Sequence, residues 1–153
     1  MDYVIHRRRV GGQWLAAVQR RMRAADVPSG FRAPLDKVWA FLGRHPGLRT
    51  DGHSVFLYRH DIDANGAMTV YFGVQVTRSF EAADEVGCTM TPEGEAAATL
   101  HCGPYNRLGE AHRAVHEWIA KNGWRAAGWS WETYGDWSDD PAKLETEVIY
   151  LLQ

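Results

Sequence analysis

The stretch GQWLAAVQRRM (12–22) opens on apolar positions and predicts a first strand, followed by a loop around Pro28, Ser29 and Gly30. The period then changes. In PLDKVWAFLGRH (34–45), Leu35, Val38, Trp39 and Leu42 recur at helical spacing; Pro34 suits the first turn and Pro46-Gly47 stops the helix. HSVFLYRH (53–60) and AMTVYFGVQVT (67–77) predict two strands, joined through DIDANG, where Asn65-Gly66 favours a tight turn. The same order returns further on. GEAAATLHCGPY (94–105) predicts a strand that Gly103-Pro104 ends. Asn106 is the expected N-cap of a helix, RLGEAHRAVHEWIAKNG, with Leu108, Ala111, Val115, Trp118 and Ile119 on one stripe and Gly123 at its stop. AGWSWETYG and LETEVIYLLQ predict the last two strands, linked by the acidic turn DWSDDPAK.

This pattern predicts an α+β protein: residues 1–153 form one domain of two β-α-β-β pseudo-repeats, about 12–77 and 94–153. Packed side by side, the repeats form an antiparallel sheet with both helices on one face and a groove between the halves.

Composition narrows the class. With 153 residues, 45% hydrophobic and 24% charged, the chain can bury about 70% of its unfolded surface and needs no disulfide or metal to fold. Cys88 and Cys102 are too few for a disulfide framework and share no metal-ligand spacing, which points to a reducing cytoplasm. MDYVIHRRRVGG lacks the apolar run of a signal peptide, and no stretch reaches the ~20 apolar residues of a membrane span.

Net charge is −2 but unevenly spread. Residues 1–25 set Arg7, Arg8, Arg9, Arg20, Arg21 and Arg23 against Asp2, a balance of +5. Residues 126–153 set Glu132, Asp136, Asp139, Asp140, Glu145 and Glu147 against Lys143, a balance of −5. No helix-turn-helix, zinc-finger or RNP pattern accompanies the arginines, so a solvated face or a subunit contact is expected rather than a nucleic-acid site.

ATLHCGPYNRLGEAHRAVHEWIAKNGW, followed by WETYGDWSDDPAKLETEVIYLL, resembles the GyrI-like small-molecule-binding domain, which also serves as effector domain of AraC- and MerR-type multidrug regulators. The resemblance rests on Gly103-Pro104-Tyr105 at a strand end, Trp118-Ile119 late in a helix, Glu132-Thr133-Tyr134, Thr146-Glu147, and YFGVQV (71–76). It is specific over 67–153 and looser over 1–66. It implies the duplicated fold with a ligand groove, in a stand-alone member that carries no DNA-reading segment. It also implies a ligand: lipophilic cations held between aromatic rings over a carboxylate. The alternatives are a hydrolase of strained cyclopropane-containing toxins, and an inhibitor of a macromolecular partner such as DNA gyrase.

Candidate site residues follow. In GWSWETYGDW (128–137), Glu132 lies among Trp129, Trp131, Tyr134 and Trp137. A buried carboxylate is costly unless paired, and a ligand cation supplies a partner, with cation–π attraction adding about 0.5–2 kcal/mol per ring. The plain alternative is an exposed strand glutamate paired with an arginine. Alternation puts Ser130, Glu132 and Tyr134 on one face and Trp129 and Trp131 on the other, as core, ligand or dimer contacts; a bulge at Gly128 exchanges the roles. Tyr71, Trp39, Tyr105 and His112 complete the expected ligand set. For catalysis, Glu132 activates water while Tyr71 or Tyr105 protonates the leaving group. His112 and His116 stand at i and i+4, but the HExxH order is absent, so no metal and no cofactor are expected.

Overall fold

The computed structural model describes residues 2–49 and 52–153. Two compact units divide the chain: a continuous one, Gly12–Thr91, and a discontinuous one that joins Met1–Gly11 to Pro92–Gln153. All strand pairings within each are antiparallel. The protein is therefore α+β, as the hydrophobic pattern predicts.

The discontinuous unit holds β1 (His6–Val10), β6 (Gly94–Cys102), α3 (Leu108–Lys121), β7 (Ala126–Tyr134) and β8 (Glu145–Leu152). Its strands lie in the order β1-β6-β8-β7. The continuous unit holds β2 (Trp14–Met22), the single turn α1 (Val27–Gly30), α2 (Arg32–Arg44), β3 (Ser54–Arg59), β4 (Met68–Gln75) and β5 (Val86–Met90), in the order β3-β4-β2-β5. Each unit thus contains strand, helix, strand, strand, plus one edge strand against the first. The edge strand comes from different directions. β5 follows its unit along the chain and pairs with β2, whereas β1 is the start of the chain and pairs with β6.

Neither β1 nor β5 is expected from the sequence. HRRRV has four exposed residues and only Val10 buried, so no apolar signal marks it, and VGCTM is short and glycine-interrupted. Backbone pairing along one edge decides both.

The helix of the discontinuous unit also starts later than expected. Tyr105–Arg107 form a 3-10 turn, Arg107 occupies the cap position with no side-chain cap, and Asn106 is not the N-cap. Its end follows the sequence. Gly123 takes φ +73°, the amide of Trp124 donates to the Ile119 carbonyl, and that of Gly123 to Ala120, closing the helix with a left-handed residue. The turn at Asn65-Gly66 differs in type: only Gly66 has positive φ, and Asp63 Oδ1 accepts from the amides of Asn65 and Ala67.

In the discontinuous unit Leu108, Ala111, Val115 and Ile119 of α3 pack on Ala97, Val148, Tyr150 and Leu152. Burial of each larger side chain contributes about 1.5–3 kcal/mol. In the continuous unit Val38, Phe41 and Leu42 of α2 meet Ala16, Val18, Val74 and Val76.

Candidate functional site

Strand pairing in the discontinuous unit places three rows of side chains on the sheet face beneath α3. Register sets Ala97, Tyr150 and Ser130 in one row, Thr99, Val148 and Glu132 in the next, and His101, Thr146 and Tyr134 in the third. Seven of these nine carry polar groups. The matching face of the continuous unit reads Ala16, Val74, Ser54; Val18, Phe72, Phe56; Arg20, Val70, Tyr58, with an aromatic and aliphatic centre. The same architecture is thus built with an apolar face. Packing alone does not require a carboxylate under the helix.

The phase of β7 comes from an irregularity. Between the pairs Ala126–Leu152 and Ser130–Tyr150, β7 has two more residues than β8, and Gly128 takes φ +87° within that excess. From Ser130 onward the strand alternates regularly. Ser130, Glu132 and Tyr134 face α3, while Trp131, only 4% exposed, lies on the opposite face.

Glu132 is 6% exposed and so is not an exposed strand residue. Its Oε2 lies 2.6 Å from His112 Nε2, and Tyr134 donates its hydroxyl to Oε1 at 2.7 Å. The fold itself supplies this acid with two hydrogen bonds. On the far side of the imidazole, His112 Nδ1 lies 2.7 Å from the Tyr150 hydroxyl, and Tyr150 is also hydrogen-bonded to Ser130. Burial, and then the nearby Glu132 charge, push the Tyr150 hydroxyl far above the usual phenol range. Tyr150 therefore keeps its proton. A carboxylate only accepts, so Nε2 carries a hydrogen toward Glu132, while the Tyr150 hydroxyl is the hydrogen-bond partner of Nδ1 on the other side of the ring.

Aromatic rings flank this chain. Tyr105 meets Tyr134 edge-on at 5.4 Å, and burial raises its hydroxyl pKa. His116 meets Tyr150 at 4.6 Å. Of the sequence-derived residues, Glu132, Tyr134, Tyr105 and His112 form one connected cluster. Tyr71 and Trp39 belong to the continuous unit. Tyr71 lies on the β4 face opposite Phe72, and Trp39 packs half-buried against the α2 core with the Arg49 guanidinium 4.6 Å over its ring. Tyr150 is outside the sequence-derived ligand set, since only the register of β8 against β7 and the placement of α3 bring it to His112. His101 is a core residue bonded to the Tyr3 hydroxyl and the Pro104 carbonyl. Among the described residues no group of three His, Cys, Asp or Glu side chains could hold a metal.

Two antiparallel β-α-β-β units, each with an added edge strand, define an α+β domain. The chain belongs to the family of the GyrI-like small molecule binding domain, whose pattern matches residues 27–152. None of the curated proteins matches it. Among solved structures it is similar to the C-terminal domain of EcmrR, at 20% identity and TM-score 0.82, covering 100% of this chain and 99% of that one. It is also similar to SAV2435 bound to tetraphenylphosphonium, at 14% identity and TM-score 0.73, covering 100% and 94%. A hydrolase from Listeria innocua matches at 14% identity and TM-score 0.64, covering 97% and 91%. These likenesses are of fold. Among the described residues no helix is long and apolar enough to cross a membrane.

Proposed function

We propose that the chain binds amphipathic small molecules, cationic or aromatic, with Glu132 as the anionic anchor and Tyr134 and Tyr105 as flanking rings. The observation that carries this reading is Glu132 itself, 6% exposed in a helix-covered sheet face whose counterpart in the other unit is apolar at its centre. Both hydrogen bonds that the carboxylate accepts in its own unit, from His112 and from Tyr134, hold its two oxygens in fixed positions. A poorly solvated carboxylate attracts a cation more strongly than one in bulk water, and tyrosine faces add cation–π attraction. The fold neighbour bound to tetraphenylphosphonium, a lipophilic cation, is consistent with that chemistry.

The test is Glu132→Gln, titrated with tetraphenylphosphonium and with neutral triphenylphosphine oxide. Loss of one charge-assisted contact of about 1.5–3 kcal/mol should weaken the cation about 10- to 100-fold and leave the neutral molecule almost unchanged. Equal losses for both would show collapse of the site and refute the charge argument.

A hydrolytic reading is supported by the Glu132–His112–Tyr150 chain, which joins a base to a hydroxyl through an imidazole. In that case a strained substrate should yield new products by mass spectrometry, and Glu132→Gln should abolish turnover while binding survives.

A further inference from the structure

The third row of side chains beneath α3 continues past β6. Extending the β1–β6 register beyond the His6–Ala98 pair brings Tyr3 opposite His101, so Tyr3, His101, Thr146 and Tyr134 stand side by side. At one end of the row the Tyr3 ring stacks on the His101 ring at 6.0 Å, and its hydroxyl is hydrogen-bonded to His101 Nδ1 at 2.8 Å. At the other end Tyr134 meets the ring of Tyr105. Tyr3 and Ile5 pack half-buried against the apolar residues beneath α3, and Thr99 donates its hydroxyl to the Val4 carbonyl at 2.9 Å. Residues 3–5 are therefore fastened to β6 although they belong to no strand.

His101 carries that fastening into the loop ahead of the helix. It is 1% exposed, and both of its ring nitrogens are engaged. A carbonyl only accepts, so Nε2 carries a hydrogen and donates it to the Pro104 carbonyl at 3.0 Å. The same carbonyl accepts from the Arg107 amide at 3.1 Å, and the Gly103 amide donates to the Leu144 carbonyl at 2.8 Å. The backbone is thus pinned immediately before Tyr105. That residue is itself 38% exposed, with its ring edge-on to Tyr134 at 5.4 Å. Loop backbone, more than deep burial, sets where the ring stands.

We propose that Tyr3 is a positioning residue of the ligand site: through His101 and the Pro104 carbonyl it sets the Tyr105 ring against Tyr134. The inference rests on the reading of Tyr105 as a flanking ring of that site. Tyr3 stands at the far end of the row, with His101 and Thr146 between it and Tyr134, and acts without touching the ligand. Removing its hydroxyl takes from Nδ1 of a buried imidazole the partner that fixes the ring, and the hold of Nε2 on Pro104 loosens with it. Tyr105 then samples more positions. An aromatic face contributes more to binding when its place is fixed in advance, because less freedom is lost when the ligand arrives. No part of this coupling depends on the charge of Glu132.

The experiment is isothermal titration with tetraphenylphosphonium of the wild type, Tyr3→Phe, Tyr105→Leu and the double variant. Tyr105→Leu should weaken binding about tenfold through loss of the ring face. Tyr3→Phe, which keeps the ring and its stacking on His101, should weaken it about three- to tenfold. In the Tyr105→Leu background the same Tyr3→Phe change should weaken binding by less than about twofold, because the residue it positions is gone. A purely structural loosening would act equally in both backgrounds, and that result overturns the proposal. Ring signals in proton–carbon NMR of the ligand-free protein give a second readout. The Tyr105 signal, assigned through Tyr105→Leu, should shift or broaden in Tyr3→Phe, and less so in Thr99→Val, which releases the Val4 carbonyl from β6. A Tyr105 signal unmoved in both variants overturns the proposal, whatever the ligand does. If Tyr105→Leu binds the cation as well as wild type, the ligand reading of Tyr105 fails and takes the proposal with it. Unchanged affinity in Tyr3→Phe beside a weakened Tyr105→Leu refutes the positioning role alone.

Discussion

At the scale of single residues the chain of hydrogen bonds through His112 makes two substitutions informative. Tyr150→Phe removes one oxygen from a ring that also packs in the α3 core, so the change isolates the polar contribution. His112 Nδ1 and Ser130 each lose a partner, at a cost of about 1–3 kcal/mol, measurable as a lower urea midpoint. Glu132→Gln has a second consequence beyond ligand affinity. Its amide has only one acceptor oxygen where the carboxylate has two, so either His112 Nε2 or the Tyr134 hydroxyl loses its acceptor. Stability is expected to fall by about 1 kcal/mol, opposite to the gain expected if the acid had no partner. At this scale the sequence marks Glu132 and Tyr134 through their place among aromatic residues. It is silent on Tyr150, whose relevance comes only from lying opposite Ser130.

At the scale of elements, β7 and the β3–β4 hairpin show how local backbone sets side-chain function. Gly128 has φ +87° and open space where a Cβ would stand, so Gly128→Ala meets no clash but must hold an L-residue in the left-handed region. A loss of about 1–2 kcal/mol is expected in thermal or urea unfolding, with weaker cation binding if the phase of Glu132 is disturbed. In the hairpin, the Thr69 backbone amide first, with the Thr69 hydroxyl and Arg21 adding to it, holds the Asp61 carboxyl near a pKa of about 2. A depressed carboxylate contributes its stability above the ordinary carboxylate range and loses it as pH falls toward 2. The urea midpoint should therefore drop between about pH 4 and pH 2, and Asp61→Asn should narrow that drop. Helical stripes and the Gly123 stop are legible in the sequence because they depend on neighbours within two turns. The two edge strands are not, because their apolar content is low and their partners are far along the chain.

For the whole molecule the uneven charge resolves into local pairs. Arg8 makes a two-pronged bond to Glu147 at 2.8 and 2.9 Å, so the basic start of the chain meets the acidic end inside one unit. Arg7 approaches Glu95 and lies over Trp124; Arg20, Arg21 and Arg23 pair with Glu85, with Asp61 and Asp63, and with Asp26. Exposed pairs of this kind stabilise little, about 0–1 kcal/mol each, but they occupy guanidinium groups that phosphate would need. Fluorescence polarisation with duplex DNA should show only weak binding that collapses with salt. Sub-micromolar sequence-specific binding at physiological ionic strength would contradict this.

The periodic spacing of Leu108, Ala111, Val115 and Ile119, the strand alternation at Ser130, Glu132 and Tyr134, and the family-specific short motifs are enough to predict the α+β class and to put Ser130, Glu132 and Tyr134 on one strand face. Those features act over a few residues, and their physics is written in the local order of side chains. Tertiary structure alone decided that β1 completes the discontinuous unit, that His112 meets Glu132, and that Tyr150 stands behind the imidazole. Strand register and helix placement set those contacts, and both are determined by the summed packing of many weak local preferences, which no single motif encodes.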